Sequence, residues 1–309
     1  MNNNIKNIIK LTITVGIFYF LFQYIDFQQL IDILAKSHGG YILIAFVFQL
    51  GSTYLAAYRW RLIMRRLVFE EPVSFYVKSY FKGTFFNQVL PGSIGGDAVR
   101  MIELARMGYN KKDAFYGIFV DRVIGLVGLL VLNIIANLAF PDIFPRWLYE
   151  LINLITLGGI FGFFVLMNMN RIELLSRFRY LDLFYRLANR LNDLYASKIL
   201  LAEHVAISVA VHLFTVVAIF FLALSVDVHV NLQTFLIAVP PIFLLMIVPI
   251  SLAGWGVREG AMVGILMLVG ADKTGVLAIS ILYGILLIIT ALPGAYFWVQ
   301  KKTHKEDNS

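Results

Sequence analysis

The sequence predicts an all-α, polytopic integral membrane protein of about eight membrane segments, with two broken or re-entrant helical regions. Three observations predict it. Of the 309 residues, 60% are hydrophobic and 15% charged, against about 25% charged in an average soluble domain, and the mean hydropathy is +0.78. Apolar runs near 8–25, 41–58, 117–140, 148–168, 204–224, 232–250, 259–271 and 275–298 mostly reach the ~17–25 residues a helix needs to cross a hydrocarbon core of about 30 Å. The runs are continuously apolar, which excludes the alternating pattern of a membrane β-barrel.

Taken in order, residues 1–309 read as one integral membrane domain. The run 8–25 starts beside Lys6 and Lys10, as a signal peptide would. It has no small-residue cleavage site and passes into YFLFQYIDF, so it reads as a retained first helix. The run 41–58 leads into RWRLIMRRLVFEEPVSFYVKSYFK, a helix leaving the membrane and turning at Glu71-Pro72. Segment 59–112 is expected to be a cytoplasmic and re-entrant region holding the first broken helix. In 171–203, Leu174, Leu175, Phe178, Leu181, Leu187 and Leu191 can line one side of a helix pair while Arg179, Arg186 and Arg190 line the other. That pattern suits helices lying in the interface, or a surface on which a partner docks. A second broken region spans 232–271, where the run 259–271 is too short to cross unless extended, tilted or re-entrant; 299–309 is a tail. There is no cysteine, which rules out disulfides and thiolate-bound metal.

The distribution of charge predicts sidedness. Of 26 Lys and Arg, ten lie in 59–112, six in 171–198, three in the tail at Lys301, Lys302 and Lys305, and two at Lys6 and Lys10. The opposite loops hold Lys36, Arg146 and Lys273. The positive-inside rule then places both termini and both basic loops in the cytoplasm. Membrane sidedness and contact with anionic lipid account for these charges, and there is no recognition motif for nucleic acid.

Two stretches stand apart. Residues 88–100 read QVLPGSIGGDAVR and residues 246–258 read MIVPISLAGWGVR. A shift of 158 residues aligns Pro91 with Pro249, Ser93 with Ser251, Gly96 with Gly254, Val99 with Val257 and Arg100 with Arg258. The match is either a coincidence between two glycine-rich apolar segments or the trace of an internal repeat. Pro91, Gly92, Gly95 and Gly96 in the first, and Pro240-Pro241, Pro249, Gly254, Gly256 and Gly260 in the second, weaken helical continuity. Broken helices survive at membrane depth only where their open backbone faces protein or a watery cavity, and paired breaks of this kind point to a transporter's substrate site.

Open helix N-termini favour phosphate or carboxylate, and Arg100 and Arg258 follow the breaks with planar guanidinium forks. Asn87, Ser93 and Ser251 add polar groups at the same places. Each arginine also has a plainer reading: Arg100 as a snorkelling or topogenic charge, Arg258 as a structural ion pair. Adjacent residues do not face each other on a helix, so Arg258 and Glu259 are expected to find partners elsewhere. Asp97 either caps a helix beginning at Ala98, binds a cationic headgroup or cycles a proton. Asp121 and Arg122 are expected to pair with the broken region, or to touch the interface if their helix begins at Gly117; Glu103 and Arg106 complete a local network. His204 and His212 lie eight apart without an HExxH pattern, so structural hydrogen bonds are expected and no metal site. No cofactor is implied, and GSIGGDAVR lacks the ending and preceding strand of a P-loop.

The run YFKGTFFNQVLPGSIGGDAVR, followed by DAFYGIFVDRVIGL and then PISLAGWGVREGA, resembles the lysylphosphatidylglycerol synthase transmembrane-region family of flippase-like membrane proteins over about residues 8–300. The resemblance implies a bacterial or archaeal cytoplasmic membrane protein. It maps the family's polar, re-entrant elements onto Asn87, Pro91, Gly92, Gly95, Gly96, Asp97, Arg100, Asp121, Arg122, Pro249, Gly254, Gly256, Arg258 and Glu259. Full-length relatives add a cytosolic acyltransferase-like domain, whereas this sequence stops at KKTHKEDNS, so lysyl transfer is not expected. The expected activity is flipping or transport of a phospholipid or lipid-linked phosphate. The alternative is a membrane scaffold for a lipid-modifying partner such as a glycosyltransferase.

Overall fold

The computed structural model describes residue 12, residues 27–89, 95–172, 182–247 and 254–300, and the backbone of 301–306. The apolar run 8–25 therefore lies almost wholly outside the described residues. So do Pro91, Gly92, Ser93, Pro249, Ser251 and the 174–181 part of the interfacial segment.

The described chain is all-α. Its helices are α1 (Phe27–Ala35), α2 (Gly39–Arg66), α3 (Val73–Val89), α4 (Gly95–Arg106), α5 (Lys111–Ala139) and α6 (Arg146–Asn168), then α7 (Asp182–Leu194), α8 (Lys198–Ser225), α9 (Leu232–Ile247), α10 (Val257–Leu266) and α11 (Lys273–Glu306). Five of them, α2, α5, α6, α8 and α11, are long and apolar enough to cross a membrane, and the protein is a polytopic membrane protein.

α2 and α8 form the centre, packed antiparallel through small and hydroxylated residues. Ser52 Oγ donates to the Val211 carbonyl (3.0 Å) and lies 2.9 Å from Thr215 Oγ1, while Gly51 leaves room for the ring of Phe214. His38 N donates to the Ser225 carbonyl at one end (2.8 Å) and Arg59 Nη1 to Ser208 further along (2.8 Å). Lipid tails are as apolar as leucine, so helices in a membrane associate through this close backbone approach and such hydrogen bonds. α5 crosses α8 with Gly128 against Ser208, and holds α6 through Asn133, whose Nδ2 donates to Thr156 (2.5 Å). One end of the molecule is basic, with Arg65, Arg66, Lys111, Lys112 and Arg186; the other carries His38, Asp227 and Asp272.

Two helical hairpins enter this frame from opposite ends. α3 and α4 run antiparallel, with Lys82 bound to Glu103 (2.6 Å) and Asn87 to Gly96. Their outer ends meet at the basic end, where Phe69 packs against Tyr109 in a tilted pair (4.6 Å) and the Tyr109 hydroxyl donates to Glu71 (3.2 Å). α9 and α10 start and finish at the other end, where Val228 touches Gly275. The helices fall into two series whose members start about 160 residues apart: α2 with α8, α3 with α9, α4 with α10, and α5 with α11. The packing follows the same correspondence. α3 lies on α11 and α9 on α5; α4 lies on α5 and α10 on α11; α2 lies on α3 and α8 on α9.

Several sequence expectations change in detail. The apolar run 41–58 lies in one helix that continues to Arg66, and Arg59, expected where that helix leaves the membrane, is buried and ion-paired inside the bundle. Lys82, one of the ten basic residues of 59–112 expected on the cytoplasmic side, is also buried. The span read from 117 begins at Lys111, directly after the Asn110 cap, whose side chain accepts from Lys112 N (2.8 Å). Pro240 and Pro241 do not interrupt their helix: α9 runs through both, buried among neighbours, and surrounding helices let prolines persist inside membrane helices. α7 keeps the expected faces, with Leu187 and Leu191 buried and Arg186 and Arg190 outside.

Candidate functional site

A cavity of about 180 Å³ opens between the Asn87 end of α3 and the start of α4. It is lined by Arg59 from α2, Tyr80, Gly83, Thr84 and Asn87 from α3, Asp97 and Arg100 from α4, and Asp121 and Arg122 from α5. Gly96 carries no Cβ because one there would run into the carbonyl of Gly83 and the Asn87 side chain. That close approach lets the backbone N–H of Gly96, an open donor at the start of α4, reach Asn87 Oδ1 (2.8 Å). The hairpin brings Asp97 level with Arg122, near the middle of α5.

Five charges interlock at the cavity. Asp121 is buried and accepts from Arg59 Nε (2.9 Å) and from Arg100 Nη1 (3.3 Å). Asp97 accepts from Arg100 Nη2 and from Arg122 Nε. Arg100 also packs against two neighbouring rings, 4.7 Å from the centre of Trp60 and 4.8 Å from that of Tyr80, the kind of cation–π contact that gains most when desolvated. Three guanidinium groups face two carboxylates, which leaves one unit of positive charge. Arg122 keeps 43% of its side chain exposed while Arg100 keeps 6%, so Arg122 is the rim and Arg100 the floor.

Asp97 does not cap a helix starting at Ala98. α4 starts at Gly95, which places Asp97 in its first turn, where a carboxylate suits the helix dipole while its side chain serves the arginines. Asp121 and Arg122 pair with the broken region as expected. Glu103 binds Lys82 below the cavity.

Arg258 and Glu259 form a separate cluster. Against expectation they pair with each other, Arg258 Nη2 donating to Glu259 Oε1 (2.5 Å). The reason lies in the cap: Glu259 folds back to accept from Gly256 N (2.6 Å), and this turns its carboxylate toward the neighbouring guanidinium. Ser280 donates to the same carboxylate (3.1 Å), and Arg258 lies over Trp255 (4.6 Å) and Tyr283 (5.7 Å). Gly256 and Gly254 both have φ of 84°, the left-handed region that glycine tolerates. Among the described residues no hydrogen bond or ion pair joins this cluster to the arginine cavity. His204 and His212 make structural bonds, to the Tyr195 hydroxyl (3.0 Å) and the Gly125 carbonyl (3.0 Å).

Sequence reasoning missed Arg59, Trp60 and Tyr80. The signal for Arg59 was present: Ser52, Ala56, Arg59 and Ile63 recur at helical spacing, so Arg59 shares the face of small residues that meets α8.

These features define a multi-pass helical membrane protein with a polar, arginine-lined cavity at the tip of a helical hairpin. The chain belongs to the Lysylphosphatidylglycerol synthase TM region family, whose profile matches residues 7–294. It is also 26% identical over 121 residues to the UPF0104 membrane protein MJ1595 of Methanocaldococcus jannaschii, a match that covers 38% of this chain and 36% of that protein.

Proposed function

We propose that the protein moves a phospholipid or lipid-linked phosphate between membrane leaflets, with the phosphate held in the cavity of Arg59, Arg100 and Arg122. The observation that carries this reading is the charge of the cavity. Three arginines against two aspartates leave one positive unit, matching the single negative charge of a phosphodiester. A water molecule occupies about 30 Å³, so 180 Å³ takes a headgroup and a few waters while acyl chains stay in lipid. On arrival the phosphate displaces Asp97 from Arg122, and Arg100, braced by the two rings, presents its fork.

The two series of helices support a transport cycle. α2 and α8 are antiparallel, and their hairpins enter from opposite ends, as in an inverted repeat about an axis in the membrane plane. Five described helices are long and apolar enough to cross, and each hairpin is read as a re-entrant element beside them. In such an arrangement the halves exchange conformations, so that a central site faces one leaflet and then the other. Under the positive-inside rule the basic end, and with it both termini, faces the cytoplasm.

The test is headgroup scrambling in proteoliposomes, comparing wild type with Arg100→Ala and Arg122→Gln after equal insertion and folding are verified. Transport lost in the variants supports the site. If wild-type protein moves no phospholipid or lipid-linked phosphate faster than protein-free vesicles, the reading fails.

A further inference from the structure

We infer that the basic end carries a second phosphate-binding site, a capture groove between α4, α5 and α7 that takes anionic phospholipid from the adjoining leaflet and leads to the central cavity. Its role in loading rests on the transport reading above; its chemistry stands on its own lining. The groove is about 390 Å³, with Lys111, Lys112 and Arg186 on its charged side and Met101, Phe115 and Leu183 on its apolar side. Asp182 also lines it and engages Arg186 (2.8 Å). Lys111 and Lys112 form no ion pair among the described residues, so the groove holds two uncommitted cations.

Helix geometry connects groove and cavity. Phe115, Phe119 and Arg122 follow one another at i, i+4 and i+7 on α5, and Met101 stands one turn from Asp97 on α4, so both walls of the groove continue to the Arg122–Asp97 bridge. A headgroup held at the lysines is thus about three helical turns from the arginine that guards the cavity. The apolar wall fits the other end of the same molecule. Phe115 is 41% exposed, Leu183 44% and Phe184 43%, and between α5 and α7 the groove narrows into a slot walled by Phe119 and Leu187. Aromatic and aliphatic side chains beside lysines at a helix end match the junction of headgroup and acyl chain. A soluble phosphate would use the cations and leave this wall bare.

The test uses full-length protein in phosphatidylcholine nanodiscs containing a minor fraction of phosphatidylglycerol, with a photoreactive benzophenone residue replacing Phe115 and adducts identified by mass spectrometry. Phosphatidylglycerol adducts are expected well above that lipid's mole fraction. They should fall about five-fold for each of Lys111→Gln and Lys112→Gln, the effect of one basic residue near an anionic surface. Both lysines are exposed, so these variants keep the fold, which a thermal melt verifies. The adducts should persist in Arg100→Ala, provided a thermal melt shows that this variant remains folded. Adducts that merely follow mole fraction overturn the proposal, and adducts abolished by millimolar inorganic phosphate assign the groove to a soluble phosphate instead. Labelling in a protein that moves no lipid keeps the groove and sinks the transport reading; transport without enriched labelling does the reverse.

Discussion

Arg59 Nε lies 2.9 Å from Asp121 Oδ1, joining α2 to α5 where both side chains are almost wholly buried. The second oxygen of the same carboxylate takes Arg100 from α4 at 3.3 Å, so one aspartate ties three helices together around the cavity. Removing one partner of a buried pair strands the other charge and costs about 3–5 kcal/mol. Asp121→Ala, which strands two arginines, should therefore lower the thermal midpoint sharply. Adding Arg59→Met to it should cost less than the two single changes together, because a stranded charge has been removed. Melting curves in detergent measure both.

Arg122 is the contrasting case. Its exposed side chain contributes little to stability, since surface ion pairs are worth about 0–1 kcal/mol. A hydrogen bond to a charged group contributes about 1.5–3 kcal/mol. Arg122→Gln should leave the melting temperature nearly unchanged and slow lipid movement by about ten-fold or more. Arg122→Lys should recover part of the rate, as the charge returns without the fork.

Gly96→Ala tests the hairpin. The added methyl meets the Gly83 carbonyl, which is backbone and cannot swing aside, so α4 must move off α3. The expected cost is about 1–3 kcal/mol, read as a lower melting temperature. Asn87→Ala removes only the hydrogen bond to Gly96 N and should cost about 1 kcal/mol.

Gly256→Ala tests the second break. With φ at 84°, a side chain there costs about 1–2 kcal/mol. The change also disturbs the turn that directs Glu259 toward Arg258, so the loss should exceed that of alanine at Gly264, whose added Cβ meets open space. Parallel melts of the two variants decide it.

The long helices were legible because lipid leaves a chain few choices: 20 or so apolar residues with satisfied backbone amides must be helical. The breaks were legible for the same reason, since proline and glycine in such a context signal backbone that faces something other than lipid. Helix ends were less legible. Arg59 looked like the point where its helix leaves the membrane, because a charge is costly there unless a partner is near, and its partner lies 62 residues away. Pro240 and Pro241 looked like a break, because local propensity carries no information about the neighbours that let the helix continue.

Composition and the order of apolar runs thus determined the class from the sequence alone, and of the eight membrane segments expected five are long apolar helices among the described residues. Only the tertiary structure decided that Asp121 serves Arg59 and Arg100 together, that Asp97 bridges two arginines, and that Glu259 turns onto its own neighbour. A membrane chain's helices are set by local hydropathy. The pairing of its buried charges is set by which helices lie side by side, and that depends on small residues such as Gly51, Gly96 and Gly128 letting backbones approach.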